Sequence, residues 1–575
     1  MKRIFGIDLG TTNSCVSWLN DGKPEVISIQ GSPLVPSVVS FDPEEVIVGI
    51  RAKNRELLHA DTTVSSVKRI MGTEETMLIN GKTYTPEKIS SYILDYLKTQ
   101  AQEVCGHKVE NVVITVPAYF SDAQRRATRN AGEQAGLKVE RIINEPTAAS
   151  LFYTHAIDEE TADGDEQHIL VYDLGGGTFD VSVLRMGKLN EVLASSGNTR
   201  LGGDDFDDAL VKLCIERIMK SHGIDLRGYR PAMARLKAAA EQAKIHLSFH
   251  AYAQIEEALI PNPDDLEIDV AFEVTRDTFE DLIDPYLEIT RKEVDKALNE
   301  SGLKAADIDN VLLVGGSTRI PAVIALLEDY FGSSCLPLVD PDLSVAQGAA
   351  IQGGIITGEH VHQILIDVNP HTLSTTAIMS KENYSIKCVP IIPRNTQIPV
   401  TRSRLFYTIV RNQKLVRVEV YQGESREPSE NTHIGSLDLL LTPAPINSPL
   451  RIEYSYDLNG IIKVRVEQKG YSAKREIDLD SAKENQMFLE VDLDAEPDDL
   501  DEELVDKEVD EQITNYILHK SRDILENLTD EAEINTLGAL IDEYAQSLRG
   551  DNEDMVDDTE EALIDYLDEL QERSS

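Results

Sequence analysis

The sequence predicts a multidomain protein in three parts: a large α/β domain of two lobes, an antiparallel β-sandwich, and a short C-terminal α-helical bundle. Three observations carry this. Short apolar runs alternate with helical segments as far as residue 360. Between about 370 and 486 the pattern switches to apolar/polar alternation. Two stripes of helical spacing then follow an acidic stretch near 490. A chain of 575 residues has room for three or more ordinary domains.

In the first part, IFGIDLG, NVVITVP, ILVYDLGGG and NVLLVGG are apolar runs that end in turn residues, the pattern of buried strands. SDAQRRATRNAGEQAG and RLKAAAEQAKIHL are helices between them. The predicted domains are 1–360, a linker at 361–368, the sandwich at 369–486 and an acidic, short helical segment at 487–575. In LVRVEVYQG, Val416, Val418 and Val420 share one face, and Arg417, Glu419 and Tyr421 the other. Asn459-Gly460 separates two alternating runs, which predicts a type I′ hairpin, since both central residues then need positive φ. Beyond 512, Ile513, Ile517, Ile524 and Leu528 form one stripe, and Ile534, Leu537, Ile541, Tyr544 and Leu548 a second. Gly550 is placed to end the second helix and Thr559 to cap a third.

The formal net charge is −46. So acidic a surface repels phosphate backbones, which makes nucleic acid a poor partner. A nucleotide remains compatible, because backbone N–H groups bind phosphate locally. The cysteines Cys15, Cys105, Cys214, Cys335 and Cys388 are scattered and show no metal-ligand spacing, which favours a reduced, cytoplasmic setting. There is no apolar run of signal-peptide or membrane-spanning length, so no membrane partner is expected.

One feature occurs twice. GIDLGTTNS (6–14) and YDLGGGTFD (172–180) each read as a β-hairpin with a tip of glycine and threonine. Glycine lets the backbone approach a ligand, and successive N–H groups form an anion nest. Two facing copies could hold a polyphosphate from both sides. Asp8, Asp173 and Asp180 at the loop bases suit Mg²⁺ held largely through its waters. Gly315-Gly316 follows a further apolar strand and opens a helix, which fits another nucleotide contact.

Together with VPAYFSDAQR, INEPTAA, LGGDDFD and VLLVGGSTRIP, these loops resemble the signatures of the seventy-kilodalton heat-shock (DnaK-type) chaperone family. They occur in that family's order, and the resemblance covers about residues 1–490. The hairpins alone would indicate only the wider actin-like superfamily. The resemblance implies an actin-like ATPase that uses ATP/ADP with Mg²⁺ and K⁺. It puts Gly10, Thr11, Thr12 and Asn13, and Gly175, Gly176, Gly177 and Thr178, around the β- and γ-phosphates, with Gly203 of LGGDDFD beside them. Lys68 matches the catalytic lysine, Glu145 the acid near the attacking water, and Asp173 the general-base candidate. Glu241, Lys244 and Ser248 match an adenosine clamp. Gly315, Gly316, Ser317 and Arg319 match the wall beside the base, and Asp342 a further adenosine contact.

The same resemblance makes the β domain a channel for extended apolar segments of unfolded polypeptides, mapped onto Leu373, Thr375, Ile378, Phe406, Val416 and Val418. Thr375 stands where an aliphatic residue is common, and Ser374 replaces a glycine. Ile364, Leu365, Ile366 and Asp367 match the interdomain linker, which departs from the family at His362 and Gln363. Pro117 and Arg125 match a relay between nucleotide and linker. Arg141, Asn144 and Asp367 match positions that meet a J-domain co-chaperone, and a nucleotide exchange factor is a further implied partner. The short lid and the wording of IIPRNTQIPVTR and SYDLNGIIKVRVE resemble the HscC-like bacterial branch. An actin-like kinase would have no use for the linker and β domain. A non-hydrolysing binder would lack Lys68, Glu145, Asp173 and Thr178, all of which are present.

Overall fold

The structure, a computed structural model, describes residues 2–156, 166–187, 190–261, 267–332, 336–337, 340–359, 365–380, 385–458 and 460–479, then 521, 525, 531–547, 559, 562–563 and 566. In the first lobe, the strands Lys138–Asn144, Asn111–Val116, Ile4–Asp8, Asn13–Asn20 and Lys23–Val26 lie side by side in that order. The second lobe orders Leu336–Pro337, Asn310–Val314, Gln167–Leu174, Phe179–Met186 and Asn190–Asn198. The sequence repeat is a structural repeat. Ile4–Asp8 pairs antiparallel with Asn13–Asn20 and parallel with Asn111–Val116. Gln167–Leu174 pairs antiparallel with Phe179–Met186 and parallel with Asn310–Val314. The strands read as unbroken apolar runs because both faces are covered. Phe5 and Ile7 join one core, Tyr172 and Phe179 a second, and Ile4, Val113 and Val171 a third between the lobes.

Helix Ser344–Thr357, rich in alanine and glycine, closes that third core. A Cβ on Gly348 would lie 1.7 Å from the Ala148 carbonyl oxygen, so glycine is what lets this helix cross Glu145–Ala156 so closely. The two lobes therefore meet backbone to backbone beneath their two hairpin tips.

The predicted linker is a strand. Leu365–Val368 pairs in parallel with Asn190–Asn198 on the edge of the second lobe's sheet. It then pairs antiparallel with Gln397–Ile398 of the β domain, so one seven-stranded sheet joins the second lobe to its neighbour. The β domain has two four-stranded antiparallel sheets. One orders Ser385–Ile392, Leu373–Ser380, Leu415–Gln422 and Thr432–Leu440; the other orders Val400–Tyr407, Pro449–Tyr456, Ile462–Gln468 and Lys474–Asp478. The alternation read in LVRVEVYQG holds: Val418 and Val420 are buried and Arg417 is exposed.

Two expectations are corrected. The hairpin at Gly460 is not a two-residue turn. Gly460 N–H donates to Asp457 C=O and Asp457 N–H to Ile461 C=O, leaving three residues in the loop with Gly460 at φ 77°. That is a turn closed by a glycine bulge, which needs positive φ at its last residue; Asn459 lies outside the described residues. At the C-terminus, helix Glu531–Ser547 packs Leu537, Ile541 and Tyr544 against Leu563, as the second stripe predicts. Thr559 is itself helical rather than a cap, and its hydroxyl meets Ser547 Oγ at 2.7 Å. All four residues of the first stripe, Ile513, Ile517, Ile524 and Leu528, lie outside the described residues, as do Leu548 and Gly550.

Candidate functional site

A cavity of about 320 Å³ opens between the lobes at the two hairpin tips. Gly10, Thr11, Thr12 and Asn13 line it from the first tip, and Gly175, Gly176 and Thr178 from the second. The tips are packed tightly: a Cβ on Gly176 would fall 1.9 Å from Thr12 Oγ1. That Thr12 oxygen is buried and has no hydrogen-bond partner among the described residues, which suits a hydroxyl that donates to a ligand. Gly203 N–H donates to Gly175 C=O and Asp204 N–H to Gly176 C=O, so the LGGDDFD segment braces the second tip from behind. Gly177 stands against Thr11 and Arg69 at the same junction.

The wall below the tips is charged. Lys68 Nζ donates to Glu145 Oε1 at 2.6 Å, and both side chains are almost fully buried. Lys68 rides on the short turn Val67–Ile70, which Ser66 enters in the left-handed region at φ 54°. Burial pulls the Lys68 ammonium down, yet Glu145, Asp8 and Asp173 around it outweigh burial and hold it above its ordinary value. The carboxylates bear the opposite strain. Burial first, then Glu145, pushes Asp8 up to about 7. Burial and Glu145 raise Asp180 to about 7 as well, against the two backbone N–H groups it accepts. Burial, with Glu145, Asp180 and Asp8, raises Asp173 well above the carboxylate range. One lysine thus faces four acids in one pocket, an arrangement that needs further positive charge. Among the described residues no group of three or more His, Cys, Asp or Glu side chains is arranged to hold a metal ion directly.

At the other end, Glu241, Lys244, Ser248, Gly315, Gly316, Ser317, Arg319 and Asp342 line the cavity. Arg319 pairs with Asp340 and Asp342 at 2.9 Å each, and Ser317 Oγ donates to Gly175 C=O. Lys244 Nζ donates to Asp207 and to Gly203 C=O. Glu241 accepts from Lys53 at 2.7 Å, across the mouth of the cleft. Lys53, with Ser66 to Asp204 and Arg69 to Asp205, latches one lobe to the other. The sequence reading missed these latch residues. The only signal in the sequence is the acidic pair Asp204 and Asp205 at the start of helix Gly203–His222.

A continuous hydrogen-bond path leaves this site. Asp180 accepts the N–H groups of Ala118 and Tyr119, just after Pro117. The C=O groups of Ala118 and Phe120 accept from Arg125, whose other bond is to Asn144 Oδ1 at 2.6 Å. Asn144 Nδ2 and Thr147 Oγ1 both donate to Asp367 Oδ2, at 2.9 and 2.8 Å. Asp367 is on the linker strand, beside Arg141. Leu365 and Ile366 occupy that strand, and Ile364 lies outside the described residues.

In the β domain, Leu373 and Val418 are buried in one core, with Phe406 and Val416 packed against it. Thr375 is buried and its hydroxyl donates to Glu419 C=O at 2.9 Å. Ile378 lies apart from that core, near the end of its strand.

The chain matches the Hsp70 protein family over residues 4–78 and 73–575. It is 45% identical over 481 residues to Chaperone protein DnaK of Mycoplasmopsis agalactiae, covering 83% of this chain and 78% of that protein. It is 44% identical over 497 residues to Chaperone protein DnaK of Thermotoga neapolitana and of Thermotoga maritima, covering 84% of this chain and 80% of each of those proteins.

Proposed function

The chain belongs to the Hsp70 family and is an ATP-dependent chaperone that assists protein folding, and from that premise we propose how its own residues divide the work. The ATPase unit is 1–360, the linker 361–368, the peptide-binding unit 369–486 and the lid 487–575. Gly10 to Asn13 and Gly175 to Thr178 grip the β- and γ-phosphates, and Lys68 stabilises charge on the transferred phosphoryl group. Glu145 holds Lys68 in place, and Asp173 orients the attacking water. Glu241, Lys244, Ser248, Gly315, Gly316, Ser317, Arg319 and Asp342 take the adenosine. Mg²⁺, with K⁺ beside it, would sit among phosphate oxygens and waters near Asp8, Asp173 and Asp180 and supply the positive charge these carboxylates lack.

The observation that carries the coupling is the unbroken path from Asp180 through Arg125 and Asn144 to Asp367. Its start, Asp180, pairs across the second hairpin with the cavity-lining Asp173, and its end lies on the strand tied to the β domain. Occupancy of the cleft thereby biases a docked linker, and release of that strand frees the channel at Leu373, Thr375, Ile378, Phe406, Val416 and Val418 to hold an extended client. A J-domain co-chaperone would read Arg141, Asn144 and Asp367, and an exchange factor would spread the latched lobes. We place this work in the cytoplasm, the setting that suits scattered reduced cysteines.

The test follows release of a fluorescent peptide on addition of ATP, for the intact chain and for Lys68→Ala. Both should release peptide, while single-turnover hydrolysis falls about 10²–10³-fold in the variant only. ATP that leaves peptide binding untouched in the intact chain would sink the coupling.

A further inference from the structure

The chain carries −46 overall, yet residues 385–418 contain seven cations and no acid. Among the described residues three of the seven are seen with carboxylate partners: Lys387 with Glu427, Arg394 with Glu300 and Arg417 with Asp438. Arg404 reaches Pro390 C=O at 3.3 Å. Arg402, Arg411 and Lys414 are exposed, and none has a carboxylate partner among the described residues.

These three stand around the proposed peptide channel. Along Val400–Tyr407, Arg402 and Arg404 share a face with Phe406, because their cross-strand partners Tyr454, Ile452 and Leu450 are all buried. Arg402 to Phe406 spans about 13 Å, roughly four residues of an extended peptide. Arg411 and Lys414 belong to the loop 408–414, which joins the strand of Phe406 to the strand of Val416 and Val418. Ile409 and Val410 on the same loop are exposed at 39% and 45%. The loop is a fixed support: Asn412 N–H donates to Ala444 C=O, and Lys414 C=O accepts from Leu441 N–H.

We propose that this channel selects extended client segments whose apolar centre is flanked by Asp or Glu. The proposal rests on the channel reading above and adds the charge of its occupant. An apolar rim studded with unpaired cations attracts a segment with the same alternation of apolar and acidic residues. A lysine-flanked segment would meet like charge at both ends.

Three peptides with one shared apolar centre, flanked by Asp, Ser or Lys, test it by fluorescence anisotropy on the full chain in ADP. At low salt the Asp-flanked peptide should bind roughly tenfold tighter than the Lys-flanked one, about a twofold gain at each of three screened contacts. About 0.5 M salt should shrink the difference to about twofold. The variant R402Q/R411Q/K414Q should do the same at low salt, with unstimulated ATP hydrolysis unchanged. Equal affinities at low salt, or tighter binding of the Lys-flanked peptide, would overturn the proposal while leaving the channel intact. Binding of none of the three would overturn the channel reading with it. Because the salt dependence is read on the unaltered chain, the outcome does not depend on the variant folding.

Discussion

The cleft between the lobes is built from charges taken out of water, and the β-domain channel from apolar side chains that a core would contain anyway. Lys68, Glu145, Asp173 and Asp180 are nearly or fully buried and Asp8 is partly buried beside them, and each is costly unless a ligand uses it. Leu373 and Val418 are equally buried and cost nothing, because burial is what stabilises them. Cleft residues therefore advertise a function by their expense. The proposed channel residues would acquire one only if the domain opened and exposed them.

That contrast breaks if the cleft tolerates steric insult as a core tolerates repacking. Gly202 is the sharpest probe, since a Cβ there would meet the Gly176 carbonyl and the Gly177 nitrogen at 2.6 Å, all rigid backbone. Gly202→Ala should displace the second phosphate tip and cut ATP affinity about 100-fold by calorimetry, a loss of about 2.7 kcal/mol. Peptide affinity without nucleotide should stay within about twofold. Unchanged ATP binding would mean that the tips are not the grip.

The next largest effect lies where the two regions communicate. Arg125 is buried and makes three hydrogen bonds, to Phe120, Ala118 and Asn144. Arg125→Ala leaves those acceptors unsatisfied in the docked arrangement, at a cost of about 1–3 kcal/mol. ATP-triggered peptide release should slow roughly tenfold in stopped-flow measurements, while unstimulated hydrolysis stays within about threefold. Loss of hydrolysis in parallel with release would instead make Arg125 part of the cleft's chemistry.

How much the sequence disclosed follows the same division. The doubled Asp–Leu–Gly–turn–Thr pattern exposed both hairpin tips that line the cleft, because close backbone approach demands glycine there. Alternation in LVRVEVYQG exposed the sheet, because a half-buried strand has a period of two. The latch of Lys53 on Glu241 stayed hidden. The two residues are 188 positions apart, and each alone reads as a solvated helix charge. The linker's pairing with Gln397–Ile398 was equally invisible, since a four-residue strand carries no periodicity of its own. The turn at Gly460 was misjudged because Asn-Gly suits a two-residue turn and a bulged one alike, and only the hydrogen bonds of Asp457 decide between them.

His371 tests whether the expense seen in the cleft recurs where the β domain docks. Its ring packs edge-on against Tyr119 at 4.3 Å, and its Nε2 contacts the Tyr119 carbonyl oxygen at 3.1 Å. Because a carbonyl only accepts, Nε2 must carry the proton, and a neutral ring leaves Nδ1 bare. Burial is the main force holding its value down at about 4; Arg125 and Arg394 push the same way, and the Tyr119 carbonyl and Glu424 pull back. Lys296, over the Tyr119 ring, adds another cation nearby. A base lowered in the docked state binds fewer protons there than when free. Docking is therefore fully supported above about pH 6.5, the ordinary histidine value, and is lost as pH falls from there toward about 4. Between pH 7.5 and 5.5, ATP-triggered peptide release should slow about threefold to tenfold. His371→Leu keeps an uncharged side chain in the same space and should flatten that dependence. Burial also raises the cleft carboxylates Asp8 and Asp180, to about 7, so a slope shared by the two proteins is assigned to the cleft and not to His371. Only the difference between them reports His371, and if the two profiles superimpose, the docking surface bears no charge-burial cost of its own.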